Sequence, residues 1–149
     1  MPQAMATEIE RQCETIEACY EFTLSYAARG LASDDGNDAG RLLREHLEQA
    51  ATAMRGLKKS CRDLSEQKRL EPKEKYEAFF EVLKLDAERA VVAVDLVLVQ
   101  PVIGSQLVDN LNASIHLRAL LADLFLLTEI LHARQTHANA QASETSGAR

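Results

Sequence analysis

The chain of 149 residues has few of the residues that break helices or cross-link small domains. It contains 6 glycines and 3 prolines, so turns must be few and the elements between them long. Its 3 cysteines form no Cys-x-x-Cys pair, which argues against a disulfide framework and against a zinc knuckle. We therefore expect a reduced protein whose core is held together by hydrophobic packing.

Basic charge and long apolar runs are also scarce. The net charge of -6 and the pI of about 5.2 argue against a nucleic-acid partner. The first ten residues have neither a basic nor an apolar region of the kind that begins a signal peptide. The longest apolar run, AVVAVDLVLV, is interrupted by Asp95 and is too short to cross a bilayer. We predict a cytoplasmic protein with no membrane partner.

Four segments show the hydrophobic periodicity of helices that face a core. Apolar residues recur at alternating intervals of four and three, which places them on one side of a helix. These inner seams are Ile9, Cys13, Ile16, Tyr20, Thr23, Ala27; Leu43, Leu47, Ala50, Met54, Leu57, Cys61, Leu64; Tyr76, Phe80, Leu83, Ala87, Ala90, Val94, Val97; and Ala113, Leu117, Leu120, Leu124, Leu127, Leu131.

Residues that begin or end helices lie between these segments. The predicted helix starts are Thr7 with Glu10 as a capping box, Asn37 or Asp38, Pro72 in a first turn, and Ser105 after Gly104. Short connections imply antiparallel neighbours. The sequence therefore predicts an all-α fold, a single up-down-up-down antiparallel four-helix bundle over residues 1–135. Residues 136–149 are predicted to form a flexible, disordered polar tail.

The segment AVVAVDLVLV could be a strand by residue preference alone, because it is rich in β-branched residues. It continues the seam of the third helix in register, however, and the rest of the chain offers no strand to pair with it. We therefore predict that it is helical.

The third and fourth predicted helices carry a second apolar face opposite their inner seams. A bundle buries only one stripe of each helix, so a second stripe on a soluble protein indicates a partner or a symmetric dimer. The predicted interface residues are Leu85, Val92, Leu96 and Val99 on the third helix, and Leu111, Ile115, Phe125 and Leu126 on the fourth.

A cluster of polar residues lies beside the predicted core. Asp109 and His116 are seven positions apart on the fourth helix, and His46 occupies the matching edge of the second. Imidazole and carboxylate groups are plausible metal ligands, but such residues more often hydrogen bond to one another and fix helix register. Glu129 and His132 form one Glu-x-x-His pair, and a di-iron site requires two.

Acidic residues form a stripe on the first helix, namely Glu10, Glu14, Glu17 and Glu21. The second helix carries a basic group at matching heights, namely Arg55, Lys58, Lys59 and Arg62. Opposite charges on adjacent bundle helices favour their pairing, so we predict that these groups pair internally. A docking face for a basic partner is the alternative.

These patterns favour a non-catalytic, cytosolic interaction protein, an accessory, adaptor or regulatory subunit. It is expected to form a homodimer through the outer faces of the third and fourth helices, and to bind a further protein subunit. We predict no catalytic residue and no cofactor. The alternative is a bundle that binds a metal or small ligand at His46, Asp109 and His116 as a carrier, sensor or enzyme.

Overall fold

A computed structural model describes residues 7–147, and within them the regular structure is entirely helical. The five helices are α1 (Glu8–Ala28), α2 (Asp38–Gln67), α3 (Lys73–Leu98), α4 (Ser105–Asn112) and α5 (Ile115–Gly147). The predicted all-α class is confirmed. The β-branched segment AVVAVDLVLV lies at the end of α3, so its helical seam outweighs its strand preference.

Side chains satisfy the first backbone N–H groups of α1 and α2 as predicted. The Thr7 hydroxyl accepts a hydrogen bond from the backbone N–H of Glu10 at 3.2 Å. The Asn37 side-chain oxygen accepts one from the backbone N–H of Gly40 at 2.6 Å. Each bond satisfies an N–H group that has no partner within its own helix. The predicted start of the third helix is also nearly correct, because α3 begins directly after Pro72.

The inner seams of the helices meet in one hydrophobic core. Contacts between side chains show that α3 and α5 run antiparallel. Between α3 and α5, Tyr76 lies beneath Arg134 while Asp86 bonds to Asp123, so positions rise along one helix as they fall along the other. The inner seam of α2 is buried along its whole length, from Leu43 to Leu64.

The prediction of four helices is wrong, because the fourth predicted helix is two helices separated at Ala113 and Ser114. Asn112 is buried at the end of α4 and accepts a hydrogen bond from the Thr23 hydroxyl of α1 at 2.9 Å. This bond holds α4 against α1, whereas α5 packs mainly against α3. One straight helix cannot follow both neighbours, and Ala113, predicted to be in the core, is exposed at the break.

In the structure α5 continues through Gly147, into the predicted tail, and the flexibility of residues 136–149 stays a prediction. No side chain after Leu131 is buried up to that point. The four alanines among residues 132–147 favour helix without packing. The Arg134 guanidinium adds support, because it donates to the Arg69 carbonyl at 2.8 Å and lies over the Tyr76 ring.

The connection between α1 and α2 packs directly on the connection between α3 and α4. The Tyr26 hydroxyl donates to the Ile103 carbonyl at 2.8 Å. The Ser105 hydroxyl donates to the Tyr26 carbonyl and accepts from the Leu31 N–H. Ser105 was predicted to cap a helix with its side chain, but it serves instead to join these two connections, and Gly104 takes the cap position.

Two glycines allow close approaches of backbone here, Gly40 between the start of α2 and the α1–α2 connection, and Gly104 between the two connections. A Cβ atom at Gly40 would lie 1.9 Å from the backbone oxygen of Asp34, and one at Gly104 would lie 2.8 Å from the backbone oxygen of Ala32. Real Cβ contacts are longer, so either substitution would force backbone apart. Glycine at both positions is therefore a requirement of the packing.

Replacing Gly40 with alanine should destabilise the protein. We expect Gly40→Ala to lower the free energy of unfolding by about 2 kcal/mol, because the new methyl group overpacks against rigid backbone. Gly56→Ala is the matched control within α2, where the nearest atom is the end of the Gln12 side chain at 2.6 Å. Its effect should stay within about 1 kcal/mol, helped by the helix preference of alanine. Urea denaturation measures both, and equal stability of the two variants would contradict this packing.

Candidate functional site

The predicted metal ligands do not form a common site. The half-buried His46 ring stacks on Phe22, with 4.6 Å between ring centroids, while Asp109 and His116 are exposed. The break after α4 separates Asp109 from His116, so the seven-residue spacing no longer places them on one helix face. Within residues 7–147 no three His, Cys, Asp or Glu side chains are close enough to hold a metal ion.

The three cysteines are buried and free. Burial raises the pKa of Cys19 and of Cys61 to about 12. Burial, with the negative charges of Glu17 and Glu14, raises the pKa of Cys13 to about 11. All three are therefore protonated thiols at neutral pH, and a thiol in that state is a poor nucleophile and a poor metal ligand.

The predicted pairing between the acidic stripe of α1 and the basic group of α2 is wrong for the described part of the chain. Arg55 pairs with Asp95 of α3, and Lys59 pairs with Asp63 of its own helix. The carboxylates of the α1 stripe form no ion pair among residues 7–147. Glu10, Glu14 and Glu17 line an open groove between α1 and α5. Glu129, His132 and Phe125 line the same groove.

An ion pair that the sequence patterns did not reveal lies where the two connections meet. The Arg44 Nε donates to an Asp34 carboxylate oxygen at 2.5 Å, and its two terminal nitrogens donate to the carbonyls of Leu98 and Gln100. The other Asp34 oxygen accepts from the backbone N–H of Ile103 at 2.7 Å. Asp34 is 8% exposed. Burial alone would raise the pKa of Asp34, but Arg44 and the Ile103 N–H outweigh it and lower that pKa.

Removing the guanidinium should destabilise the fold, since it leaves the buried Asp34 carboxylate without its counter-ion. We expect Arg44→Met to lower the free energy of unfolding by about 3 kcal/mol. The control is Arg41→Met, because Arg41 makes two exposed ion pairs, to Asp38 and Glu45. Its loss should be below about 1 kcal/mol. Equal losses in urea denaturation would contradict the role given to Arg44.

The same pair fixes the sign of one pH effect. The folded-state pKa of Asp34 lies below its ordinary value of 3.8. Its contribution to stability is therefore present above that pH and is lost as the pH falls through the folded value. The acid limb of the stability profile should be flatter in Arg44→Met than in the wild-type protein.

A second buried carboxyl group lies between α3 and α5. Asp123 lies close enough to Asp86 for a side-chain hydrogen bond when one of the two carries a proton, and one Asp123 oxygen is buried without a hydrogen-bond partner. Burial is the largest cause that raises the pKa of Asp123 to about 7, followed by the hydrogen bond with Asp86 and its charge. Burial and the neighbouring Asp86 charge both disfavour the ionised form of Asp123, so Asp123 keeps its proton up to about pH 7.

This carboxyl pair should weaken the fold as the pH rises. Between pH 3.8 and about 7 the folded chain keeps a proton on Asp123 that the unfolded chain releases, so the stability from this group falls across that window. We expect Asp123→Asn to remove this slope and, above pH 7, to stabilise the fold by about 1 kcal/mol, because the amide can donate to Asp86. Thermal unfolding across this pH range measures it.

The control for this substitution is Asp109→Asn, since Asp109 is exposed. It should leave the slope unchanged. An unchanged slope in Asp123→Asn as well would contradict the raised pKa of Asp123.

Apolar exposure is concentrated on α3 and α5. Along α3 the side chains that face away from the core form what we term the outer seam, namely Val82, Leu85, Arg89, Val92, Leu96 and Val99. Its apolar members are 45% to 73% exposed. On α5 the exposed members of the predicted interface are Ile115, Phe125 and Leu126.

One residue of the predicted interface lies elsewhere. Leu111 is 5% exposed and packs inside the chain, because α4 turns its apolar side towards α1. The prediction had extended the face of α5 through Ala113 as one helix. Val82 belongs to the outer seam and was missed, although its spacing of three from Leu85 is visible in the sequence.

Searches for related proteins provide no function. No known protein family, curated protein or solved structure matches this chain. Among the described residues, no helix has both the length and the apolar character needed to cross a membrane.

Proposed function

We propose that this is a non-catalytic, cytosolic interaction protein, an accessory, adaptor or regulatory subunit that self-associates through α3 and α5. The observation that carries the proposal is the outer seam of α3, on which Val92, Leu96 and Val99 are 66%, 64% and 73% exposed. Soluble proteins rarely leave a continuous row of such side chains in water unless a partner covers it.

The contrast with α1 and α2 supports this proposal. On those helices the exposed large apolar side chains are single ones, Leu24 and Leu42. Most of the other outward positions of α2 are charged or polar. On α3 the apolar side chains instead extend over five turns, about 25 Å of helix, which suits a helical partner. Binding of a further protein subunit stays a prediction.

The side chains that carry most enzyme chemistry support a non-catalytic role. The three thiols are protonated, and His46 packs against an aromatic ring. The buried Asp34 is fully engaged with Arg44 and the Ile103 backbone. The contacts of these groups therefore serve packing and the joining of segments.

A charge on the outer seam should oppose association without disturbing the core. We expect Leu96→Glu to shift the protein to a smaller species on size-exclusion chromatography, because the glutamate would have to be buried unpaired in the interface. The matched control is Leu24→Glu, which places the same charge on an exposed leucine of α1. Circular dichroism verifies that both variants keep their helices.

The comparison of the two variants tests whether self-association takes place through α3. A Leu96→Glu protein that stays as large as the Leu24→Glu protein would contradict self-association through α3. Ile115→Glu extends the test to α5, where Ile115 is 73% exposed, and should act in the same direction as Leu96→Glu.

A further inference from the structure

The outer seam of α3 has the same spacing in both directions along the helix. Its members follow one another at intervals of three, four, three, four and three residues. Their chemistry is nearly the same in both directions as well. Val82 and Val99 lie equally far from a midpoint between residues 90 and 91, and so do Leu85 and Leu96.

The outer seam lies between the two flanks by which α3 contacts its own chain. On one flank Asp95 pairs with Arg55 of α2, and on the other Asp86 bonds to Asp123 of α5. The side chains between these flanks point away from the core and are exposed. A helix laid along them would therefore meet the seam without displacing α2 or α5.

A seam of this kind is self-complementary under one particular symmetry. A two-fold axis perpendicular to α3 at the midpoint exchanges each seam position with its counterpart on the other side of the midpoint. The alternating three and four spacing is the one that packs two helices against each other along their whole length. Resting on the proposed function, we propose that the partner is a second copy of this chain, with its α3 antiparallel to this α3.

In this arrangement four of the six seam residues meet a residue of their own type across the axis. Leu85 packs against Leu96 of the second copy, and Val82 packs against Val99 of the second copy. Arg89 meets Val92 of the second copy, because these two positions are also equally far from the midpoint. Every contact therefore occurs twice, once on each side of the axis, which is the property of an isologous interface.

Arg89 favours the antiparallel direction over the parallel one. It is the one charged member of the outer seam, and it forms no ion pair among residues 7–147. A parallel pair would place both guanidinium groups in one layer, where they repel. The antiparallel pair offsets them by three residues, about 4.5 Å along the axis. A single charged seam residue is a known means of fixing helix register.

Cysteine cross-linking tests the direction and the register. Leu85→Cys and Leu96→Cys are prepared separately, mixed under reducing conditions so that subunits exchange, and then oxidised. The native thiols compete poorly because all three are buried and their pKa values are raised to about 11 or 12. We expect the mixture to form several-fold more disulfide-linked dimer on a non-reducing gel than either variant alone.

The physical reason is distance. In the antiparallel pair, Leu85 of one copy lies opposite Leu96 of the other, whereas the two Leu85 positions are about 16 Å apart along the axis. A disulfide needs Cα atoms within about 7 Å. A mixture of Leu85→Cys with Leu24→Cys, a leucine exposed on α1, measures the collisional background.

Each result has one meaning. Efficient cross-linking of Leu85→Cys with itself would show a parallel pair and overturn this inference, while the proposed self-association stands. If the protein sediments as a dimer but the mixture of Leu85→Cys and Leu96→Cys forms no more disulfide-linked dimer than the background, only the proposed register is overturned. If the wild-type protein and both cysteine variants sediment as monomers under reducing conditions, both this inference and the proposed function are overturned.

Discussion

The ion pair between Asp34 and Arg44 joins three parts of the chain that are distant in sequence. Arg44, in the second turn of α2, reaches the carbonyls that end α3, while Asp34 holds the backbone of Ile103 just before α4. The last carbonyls of a helix have no partner within it, so a guanidinium there satisfies groups that burial would otherwise penalise. The path of the chain from α3 into α4 depends on this contact.

That path determines which surfaces are covered. Because α4 begins beside the end of α1 and is held there by the bond between Thr23 and Asn112, the chain must break before α5. The remaining helix, α5, then packs on one flank of α3, and α2 packs on the other. The inner seam of α3 is filled by its own chain, and no described element of the chain lies over its outer seam. The exposure of the outer seam is therefore a consequence of the contacts between the loops.

Hydrophobic periodicity and capping residues predicted most of the helices, but almost none of the side-chain contacts between them. The inner seam of α2 is buried at every predicted position, and Thr7 and Asn37 cap as expected, because these features depend on residues a few positions apart. The contact of Thr23 with Asn112 spans 89 residues, and no periodicity reports it. Arg55 was assigned to the wrong neighbour for a related reason. The position of Arg55 in the sequence gives its height along α2. It does not show whether α1 or α3 supplies the carboxylate that pairs with it.

Sedimentation equilibrium of the wild-type protein over a wide concentration range tests most directly whether the exposed face of α3 is an interface. The account predicts a reversible rise in mass from the 16.5 kDa of one chain to twice that value by tens of micromolar. A mass that stays at that of one chain throughout would contradict it.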